Sequence, residues 1–520
     1  MSTENTAARR RTVLGGAVVA GVGTTLAGAS ATAASGFTPA YYKGDPLLAR
    51  QARHLVSRFS YGITPALAAD VSAAGGARAW FEQQLTPEAV ADPGIAKLRD
   101  WWAPGLNLSG ADIWKRQVDG VEDGWEVMVN YARWALVRRL KSQRQVLELM
   151  REFWENHFNV PANGDGAFPW RTDYGVALGE RALGSFEDLL QTAITHPAML
   201  IYLDNAVSTA KHPNENLGRE MLELHTVGRG NYDENDVKNS ARILTGWRVD
   251  VWDTWEPSYR EKDHWRGPVK VMDFTHPNAA GDGRPVTREY LSYLAHHPAT
   301  ARRIARKLAV KFVRDEPSDA LVSHLASIYR QNNTEIKPVL RALIRSEEFA
   351  MAVGAKVRDP GEDVVATYRA LDVKVRRPTV RQAAVNVMAW QASDVGALPF
   401  GWPRPDGPPI DNESWSYPSR LMASMDIHAT MSGGWWPKDD VRYRGRRSWV
   451  PSYPMRFDKL VDHLAQVMLH QRSDAALLEA CCLAVDLPPE EQITRDHAVV
   501  QWDSPRLLTV FLDSPAFYHR

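Results

Sequence analysis

The sequence predicts a mainly α protein, built as one large multi-helical domain with a small β-hairpin near residues 247–275. Three observations favour this class. Apolar residues recur at helical spacing along most of the chain, as in the stretch RQVLELMREFWENHF. Capping residues and glycines stand where these stretches begin and end. Convincing strand-like alternation occurs only in WRVDVW and GPVKVMDF, which we expect to form the hairpin.

The composition is that of a soluble globular protein without a strong electrostatic preference. The 520 residues are 44% hydrophobic and 24% charged, and 62 basic residues balance 62 acidic ones. No global field would attract nucleic acid or an anionic membrane surface, so nucleic acid is not an expected partner. The two cysteines, Cys481 and Cys482, are adjacent and cannot close a loop. We expect them to be buried, inert thiols.

Residues 1–33 have the organisation of a twin-arginine export signal. Arg10 and Arg11 precede a weakly hydrophobic stretch rich in alanine and glycine, which ends in a small-residue motif at Ala33. The sequence therefore predicts recognition by the twin-arginine translocase, export in the folded state and cleavage near Ala33. The mature protein would act in the periplasm, the cell wall or the extracellular space. The hydrophobic stretch is too short and too rich in glycine for a stable membrane anchor.

Behind the signal we expect a flexible mature N-terminus over residues 34–47 and one helical domain over residues 48–518. Asp233 and Asp236 have the spacing of a capping box and predict a helix that ends near Gly246. A segment rich in proline and tryptophan, residues 398–415, interrupts the helical pattern.

The stretch NENLGREMLELHTVGRG, residues 214–230, predicts a helix that begins after Asn214 and ends at Gly228. Its polar positions form a stripe beside the apolar one. Glu220 lies at the edge of the apolar stripe, whereas Glu223 points further toward solvent. His225 lies on the other flank, so it cannot share a metal with the two glutamates on one unbroken helix.

His157 is the expected counterpart of Glu220. It lies on the apolar face of RQVLELMREFWENHF, and Glu148, Glu152 and Glu155 point away from that face. An inward histidine and a carboxylate at the edge of the core are the parts of a buried acid–base pair or of a helical metal site. We therefore select His157 and Glu220 as catalytic candidates. Four residues are candidates for a supporting role: Asp204, Asn216, Glu223 and Trp247. A metal cofactor is compatible with this set, but its identity is not specified.

Common signatures of other sites are absent from the sequence, including the serine-hydrolase elbow, the phosphate-binding loop, the zinc-peptidase motif and the EF-hand. Whether the protein is an enzyme stays open on these grounds. The alternative is a non-catalytic exported protein that binds a polysaccharide or assembles with a partner. Its contacts would come from the 19 tryptophans, with Trp247, Trp402 and Trp415 as candidates.

Several stretches resemble the bacterial domain of unknown function 1800 family. They include HLVSRFSYGITP, FWENHFNV, HPAMLIYLDN, NENLGREMLELHTVGRGNYDENDVKNSARILTGW and HHPATARRIARKLAVKFV, in that order. The resemblance spans roughly residues 48–518 and implies a mostly helical, often exported protein of uncertain function. It also implies a co-exported, sulfatase-like partner.

The family provides no catalytic residues that could be transferred to this chain. Many relatives carry His-Asp-x-Gly-Pro-Lys-Thr after the Gly-Trp pair, whereas this chain has DHWRGPVKVM. The glycine and proline are kept, but the histidine and aspartate are rearranged. No role tied to that motif can therefore be assigned to Asp263 or His264.

Overall fold

The computed structural model describes residues 37–162, 164 and 166–520. The expected export signal, with Arg10 and Arg11, lies outside the described residues. Within them the structure is mainly α, as predicted, and its strands form only small two-stranded antiparallel sheets. None of the described helices combines the length and the apolar character needed to cross a membrane.

The described residues form 23 α-helices. The first nine are α1 Arg50–Arg58, α2 Pro65–Ala73, α3 Ala77–Gln84, α4 Gly110–Val118, α5 Gly124–Lys141, α6 Gln145–His157, α7 Phe168–Glu180, α8 Phe186–Thr195 and α9 Pro197–Tyr202. The next seven are α10 Asn216–Glu220, α11 Glu234–Ile243, α12 Arg284–His296, α13 Pro298–Phe312, α14 Asp319–Gln331, α15 Ile336–Arg345 and α16 Glu347–Met351. The last seven are α17 Pro360–Ala370, α18 Ala384–Val395, α19 Pro418–Ser432, α20 Phe457–Met468, α21 Ala475–Val485, α22 Ser504–Leu512 and α23 Pro515–Tyr518.

The strands in the predicted region form two hairpins. β1 Trp247–Val249 pairs with β2 Pro257–Tyr259, and β3 Val269–Val271 pairs with β4 Phe274–His276. WRVDVW and GPVKVMDF thus each pair with the segment that follows, not with each other. The reason is local, because left-handed backbone at Trp252 and Trp255 turns the chain back directly after β1.

Two further strand pairs, which carry no clear sequence signal, occur later in the chain. β5 Lys374–Val375 pairs with β6 Val441–Arg442, and β7 Met455–Arg456 pairs with β8 Gln492–Ile493. Each strand has only two residues, too few for alternation to be visible in the sequence. These pairs join segments far apart in the chain.

The helix ends follow the capping chemistry of the sequence. The side chain of Asp233 accepts hydrogen bonds from the backbone of Asn235 and Asp236, and the Asp236 carboxylate accepts the backbone N–H of Asp233. This is the predicted capping box of α11. Asp359 and Glu362 form a second box at the start of α17.

Helices α5, α6 and α7 pack together in the core, and α6 is buried on nearly all sides. Glu148, Glu152 and Glu155 were expected to point away from the apolar face that carries His157. All three are buried, because each meets an arginine of a neighbouring helix. The pairs are Glu148 with Arg138 at 3.0 Å, Glu152 with Arg139 at 3.1 Å and Glu155 with Arg171 at 3.0 Å.

The described part of the segment 34–47 makes hydrogen bonds to the helical domain. The backbone N–H of Tyr42 donates to Asp462 across 2.8 Å, and the carbonyl of Tyr42 accepts from Gln466 and Arg472. Tyr42 is therefore bound to α20, and the flexibility of residues 34–47 stays a prediction. The groups of α20 that receive this segment, Asp462 and Gln466, could not be recognised from the N-terminal sequence itself.

Candidate functional site

His157, at the end of α6, forms its side-chain hydrogen bonds with two groups. Its Nδ1 lies 3.0 Å from the ε-nitrogen of Lys307 on α13, and its Nε2 lies 3.1 Å from the backbone carbonyl of His225. A carbonyl only accepts, so Nε2 must carry the proton and Nδ1 must accept from Lys307. Among the described residues, no carboxylate is hydrogen-bonded to His157.

The imidazole of His157 is neutral. Burial, followed by the nearby charge of Lys307, lowers its pKa well below the ordinary histidine value. His225 is also buried, and burial and Lys307 lower its pKa to about 3. Lys307 thus faces two uncharged rings, which offer a hydrogen-bond acceptor but no negative charge.

Lys307 is poised to lose its proton near neutral pH. Its side chain is half-buried, and burial, reinforced by the positive charge of Arg303 one turn earlier, lowers the lysine pKa to about 7. The charge of Asp406 opposes this shift without cancelling it. A neutral amine that donates one N–H to His157 keeps its lone pair free. Such an amine is a nucleophile or a base, and desolvation beside another cation is the usual way to obtain one.

A π turn brings His225 toward His157. Residues Met221–His225 continue α10 with the wider π spacing, and the imidazole centroids of His157 and His225 lie 5.7 Å apart. The expected unbroken helix would have left His225 on a flank away from this site. π turns inside helices recur at functional sites, because the extra residue redirects one side chain. Both ring nitrogens of His225 are buried without a hydrogen-bond partner among the described residues.

The segment 398–412 packs over the end of α6. The side-chain amide of Asn159 donates to the carbonyls of Trp402 and Arg404 at 2.8 and 2.7 Å, and the hydroxyl of Tyr202 donates to the carbonyl of Pro403 at 2.8 Å. These bonds hold Asp406 close enough to influence the charge of Lys307. The segment is thus one wall of the site, although it lies more than 90 residues from Lys307 in sequence.

Glu220 is half-buried and has no hydrogen-bond or ion-pair partner among the described residues. Burial, together with the charge of Glu223, raises its pKa. Asp406 adds to this shift, and both Glu220 and Asp406 raise the pKa of Tyr202. Glu220 therefore lies in the same electrostatic neighbourhood as Asp406 and Tyr202, as a carboxyl group that holds its proton more tightly than usual.

The four supporting candidates are already engaged with other groups. Asn216 donates to the exposed Asp204 across 3.1 Å. Glu223 binds Arg229 and accepts the hydroxyl proton of Tyr232 at 2.9 Å, which leaves little capacity for a ligand. Trp247 is half-buried on β1, and its indole N–H lies 3.3 Å from Thr287 on α12.

The tryptophans and the rearranged motif also have structural roles. Trp415 is buried, with its indole N–H on the carbonyl of Pro409, and Trp402 is half-buried with its N–H on Asp406. Trp415 therefore offers no face to a sugar. His264 is buried between Thr245 and Asn278, where it fixes a loop.

A cluster of three carboxylates lies about one helical turn away from His157 on α6 and from Lys307 on α13. Oxygen atoms of Glu152, Asp359 and Glu362 approach one another within 4.8 Å, the spacing of a metal site. Lys311 lies among them, 3.1 Å from Asp359 and 2.8 Å from Glu362. Arg139 and Arg520 pair with Glu152 and Glu362, so three anions meet three cations. This neutralised donor set does not fit a divalent ion, because Lys311 takes the position of the cation.

A second cluster resembles a catalytic triad in outline. His428 Nε2 lies 3.4 Å from Ser424 Oγ, and its Nδ1 lies 2.8 Å from Asp513. Asp363, however, accepts the serine hydroxyl at 2.5 Å and also faces His428 Nε2 at 3.3 Å. Burial lowers the His428 pKa, but the hydrogen bonds to Asp363 and Asp513 outweigh it and raise the pKa overall. The serine proton is already held by Asp363, and both nitrogens of His428 face carboxylates, so this cluster is structural.

Residues 54–519 match the model of a family described as a protein of unknown function, DUF1800. The chain belongs to the DUF1800 family. The resemblance predicted from the sequence is thereby confirmed, and the match includes every residue of the Lys307 site. No curated protein and no solved structure matches the chain.

Sequence reasoning missed Lys307 in this DUF1800 chain, although a signal is present. Arg303, Lys307 and Lys311 recur at four-residue spacing and form one basic stripe on α13. Such a stripe is typical of a solvated face. Here each side chain meets another part of the fold: Arg303 donates to the carbonyl of Leu224, Lys307 contacts His157 on α6, and Lys311 binds carboxylates at the start of α17. These contacts change a solvated charge into a desolvated one.

Proposed function

We propose that this protein is an exported enzyme that uses the neutral amine of Lys307 as a nucleophile toward a carbonyl group of its substrate. The observation that carries the proposal is the hydrogen bond between Lys307 and the neutral His157, in a half-buried site where none of the described carboxylates pairs with the lysine. The proposal keeps the location expected from the sequence, between the His157 helix and the 214–230 stretch. It replaces the expected histidine–carboxylate pair with a lysine–histidine pair.

The chemistry follows from the groups around Lys307. Its lone pair attacks the carbonyl carbon and forms a C–N bond, the C=O π bond breaks, and the oxygen takes up the proton that the nitrogen loses, which gives a carbinolamine. The hydroxyl group then leaves as water with one added proton, and the nitrogen lone pair forms the C=N bond of a protonated imine. Glu220, on the neighbouring 214–230 stretch, is the candidate proton donor for the departing water, because burial and the charge of Glu223 raise its pKa and favour its protonated form. His157 accepts a hydrogen bond from Lys307 and so fixes its position, but it carries no negative charge that would stabilise the protonated amine.

The experiment is trapping of the imine. The mature protein is incubated with glyoxylate and cyanoborohydride near pH 7, and lysine modification is mapped by mass spectrometry of peptides. We expect Lys307 to be modified well before the exposed lysines, and Lys307→Met to lose the fast phase. Lys311, which is paired with two carboxylates, is the internal control and should stay unmodified. Modification of Lys307 no faster than that of exposed lysines would contradict the proposal.

A non-catalytic binding role is the second candidate. A mostly apolar groove of about 730 Å³ lies between α19, α21 and α22, and the exposed Trp435 is on its wall. A co-exported, sulfatase-like protein is the partner that we would test against it. Loss of that association in Trp435→Ser, with retention in the exposed control Trp502→Ser, would favour this role. Retention of the association in both variants would argue against a binding role for this groove.

Export is part of the proposal. The paired Arg10 and Arg11 support recognition by the twin-arginine translocase, with removal of the signal near Ala33. A periplasmic, cell-wall or extracellular location follows. Two free, buried cysteines are consistent with folding before export, since no disulfide has to form outside.

A further inference from the structure

A cavity of about 150 Å³ between α1, α17 and the C-terminal segment is lined by positive charge. Arg53, Arg358, Arg369 and Arg520 lie on its wall, and Arg58 is buried nearby. None of the described residues that line it is an aspartate or a glutamate. This cavity is separate from the Lys307 site and plays no part in the chemistry proposed there.

The arginines of this cluster lack the partners that buried arginines normally have. Within the described residues, no carboxylate lies within 4.0 Å of the guanidinium groups of Arg53, Arg58, Arg358 or Arg369. Their hydrogen bonds go to backbone carbonyls, at 2.7 Å from Arg58, 2.9 Å from Arg358 and 3.1 Å from Arg369. Carbonyl dipoles satisfy single N–H groups but do not neutralise a full charge.

Arg520 is compensated only in part. Its Nη2 lies 2.5 Å from Glu362, but the same carboxylate oxygen also accepts from Lys311. Its Nε and Nη1 are buried without a partner, as is Nη1 of Arg358. Both side chains are more than nine-tenths buried and lie on the cavity wall. Buried donors of this kind need an acceptor that the described residues do not supply.

The charges of the cluster repel one another. Burial, followed by the charge of Arg520, lowers the pKa of Arg358 to about 10, and burial and Arg358 lower the pKa of Arg369 to about 10. Desolvated, mutually repelling guanidinium groups cost free energy unless an anion offsets them. Arginine is also the residue that best matches oxyanions, since its planar fork can donate two parallel hydrogen bonds.

We propose that this cavity binds a tetrahedral oxyanion, a phosphate or sulfate group, held by Arg358 and Arg520 on the inside and by Arg53 and Arg369 nearer the surface. The volume accommodates such a group together with water. Ala516 and His519 on the wall are exposed, so the cavity opens to solvent and a group attached to a larger molecule can enter.

The test is calorimetric titration of the mature protein with sodium sulfate, inorganic phosphate and methyl phosphate at constant ionic strength, with chloride as the reference salt. We expect saturable one-to-one binding of sulfate or phosphate. The preferred anion identifies the group, and binding of methyl phosphate shows that an attached group is accepted. Absence of saturable binding by all three would overturn the proposal.

Two variants test whether the anion binds in this cavity. Arg358→Gln should weaken binding at least about tenfold, because it removes a charged donor. Removal of one repelling charge should at the same time leave the melting temperature of the ligand-free protein unchanged or higher. If Arg358→Gln fails to fold, the half-buried Arg369→Gln gives the same comparison with a smaller loss.

Arg144→Gln is the matched control. Arg144 is likewise half-buried and donates through Nε to a backbone carbonyl, that of Val90, but it lies away from the cavity. The control should bind the anion as the wild type does. Equal binding by the wild type and both cavity variants would place the anion elsewhere and overturn the proposal.

Discussion

The ε-nitrogen of Lys307 lies 3.0 Å from Nδ1 of His157, and the other nitrogen of the same imidazole is bound to the carbonyl of His225. These two hydrogen bonds, from the lysine to a neutral imidazole and from the imidazole to a backbone carbonyl, fix the position of the amine. They give it no counter-ion. The lysine pKa of about 7 is therefore a property of the packing around α13.

Two substitutions should move the pKa of Lys307 in opposite directions. Burial and then Arg303 lower this pKa, whereas Asp406 raises it. Arg303→Gln should therefore shift the pH midpoint of imine trapping upward, and Asp406→Asn should shift it downward. The pH profile of the trapping rate measures both. A shift of the same sign in the two variants would show that the substitutions act through altered packing.

The buried pair of Glu155 and Arg171 should contribute strongly to stability. Glu155→Gln keeps the shape and a hydrogen bond to Tyr131 but leaves Arg171 as an uncompensated charge at a fully buried position. We expect a loss of about 3 kcal/mol in the free energy of unfolding. Denaturation in urea measures it, with Glu234→Gln in the exposed pair with Arg219 as a control expected to lose much less stability. Equal losses of unfolding free energy in the two variants would contradict the claim that the buried pair contributes more than the exposed pair.

His428 should make stability depend on pH. Its pKa in the folded protein is raised, so its protonated form stabilises the fold fully below the ordinary value of about 6.5, and this stabilisation is lost as the pH rises through the folded pKa. From about pH 6 to about pH 8.5, the wild type should lose more unfolding free energy than His428→Gln does. Parallel pH profiles for the two proteins would show that His428 is not protonated in the fold.

Export should depend on the arginine pair. Arg10→Lys combined with Arg11→Lys should leave the precursor in the cytoplasm, because the signal depends on both guanidinium groups. Immunoblots of the cytoplasmic and exported fractions measure the outcome. Arg9→Lys is the matched control and should be exported normally. Normal export of the double variant would rule out the twin-arginine route.

Much of the fold follows from local sequence. The capping box at Asp233 and the apolar spacing of α6 both give helices where they were predicted, because their causes lie within a few residues. The π turn at Met221–His225 was not predicted, since Leu217, Met221 and Leu224 fit ordinary α spacing. The extra residue in that turn accompanies the packing of His225 against His157, which is a tertiary contact.

The site itself was predicted only in part. His157 was selected because it interrupts an apolar face, and its burial agrees with that pattern. Its partner could not be selected, because a basic stripe on α13 looks the same in sequence whether water or a distant segment covers it. The burial of Lys307 is a tertiary property, and neither composition nor periodicity predicts it.

The most direct test of the account is the pKa of Lys307, measured by competitive labelling of the mature protein with acetic anhydride over a range of pH and by mass spectrometry of each lysine-containing peptide. We predict half-maximal reactivity of Lys307 near pH 7, several units below the exposed lysines, with His157→Phe altering the rate because the positioning hydrogen bond is lost. A Lys307 midpoint equal to that of the exposed lysines, about 10.4, would contradict the account.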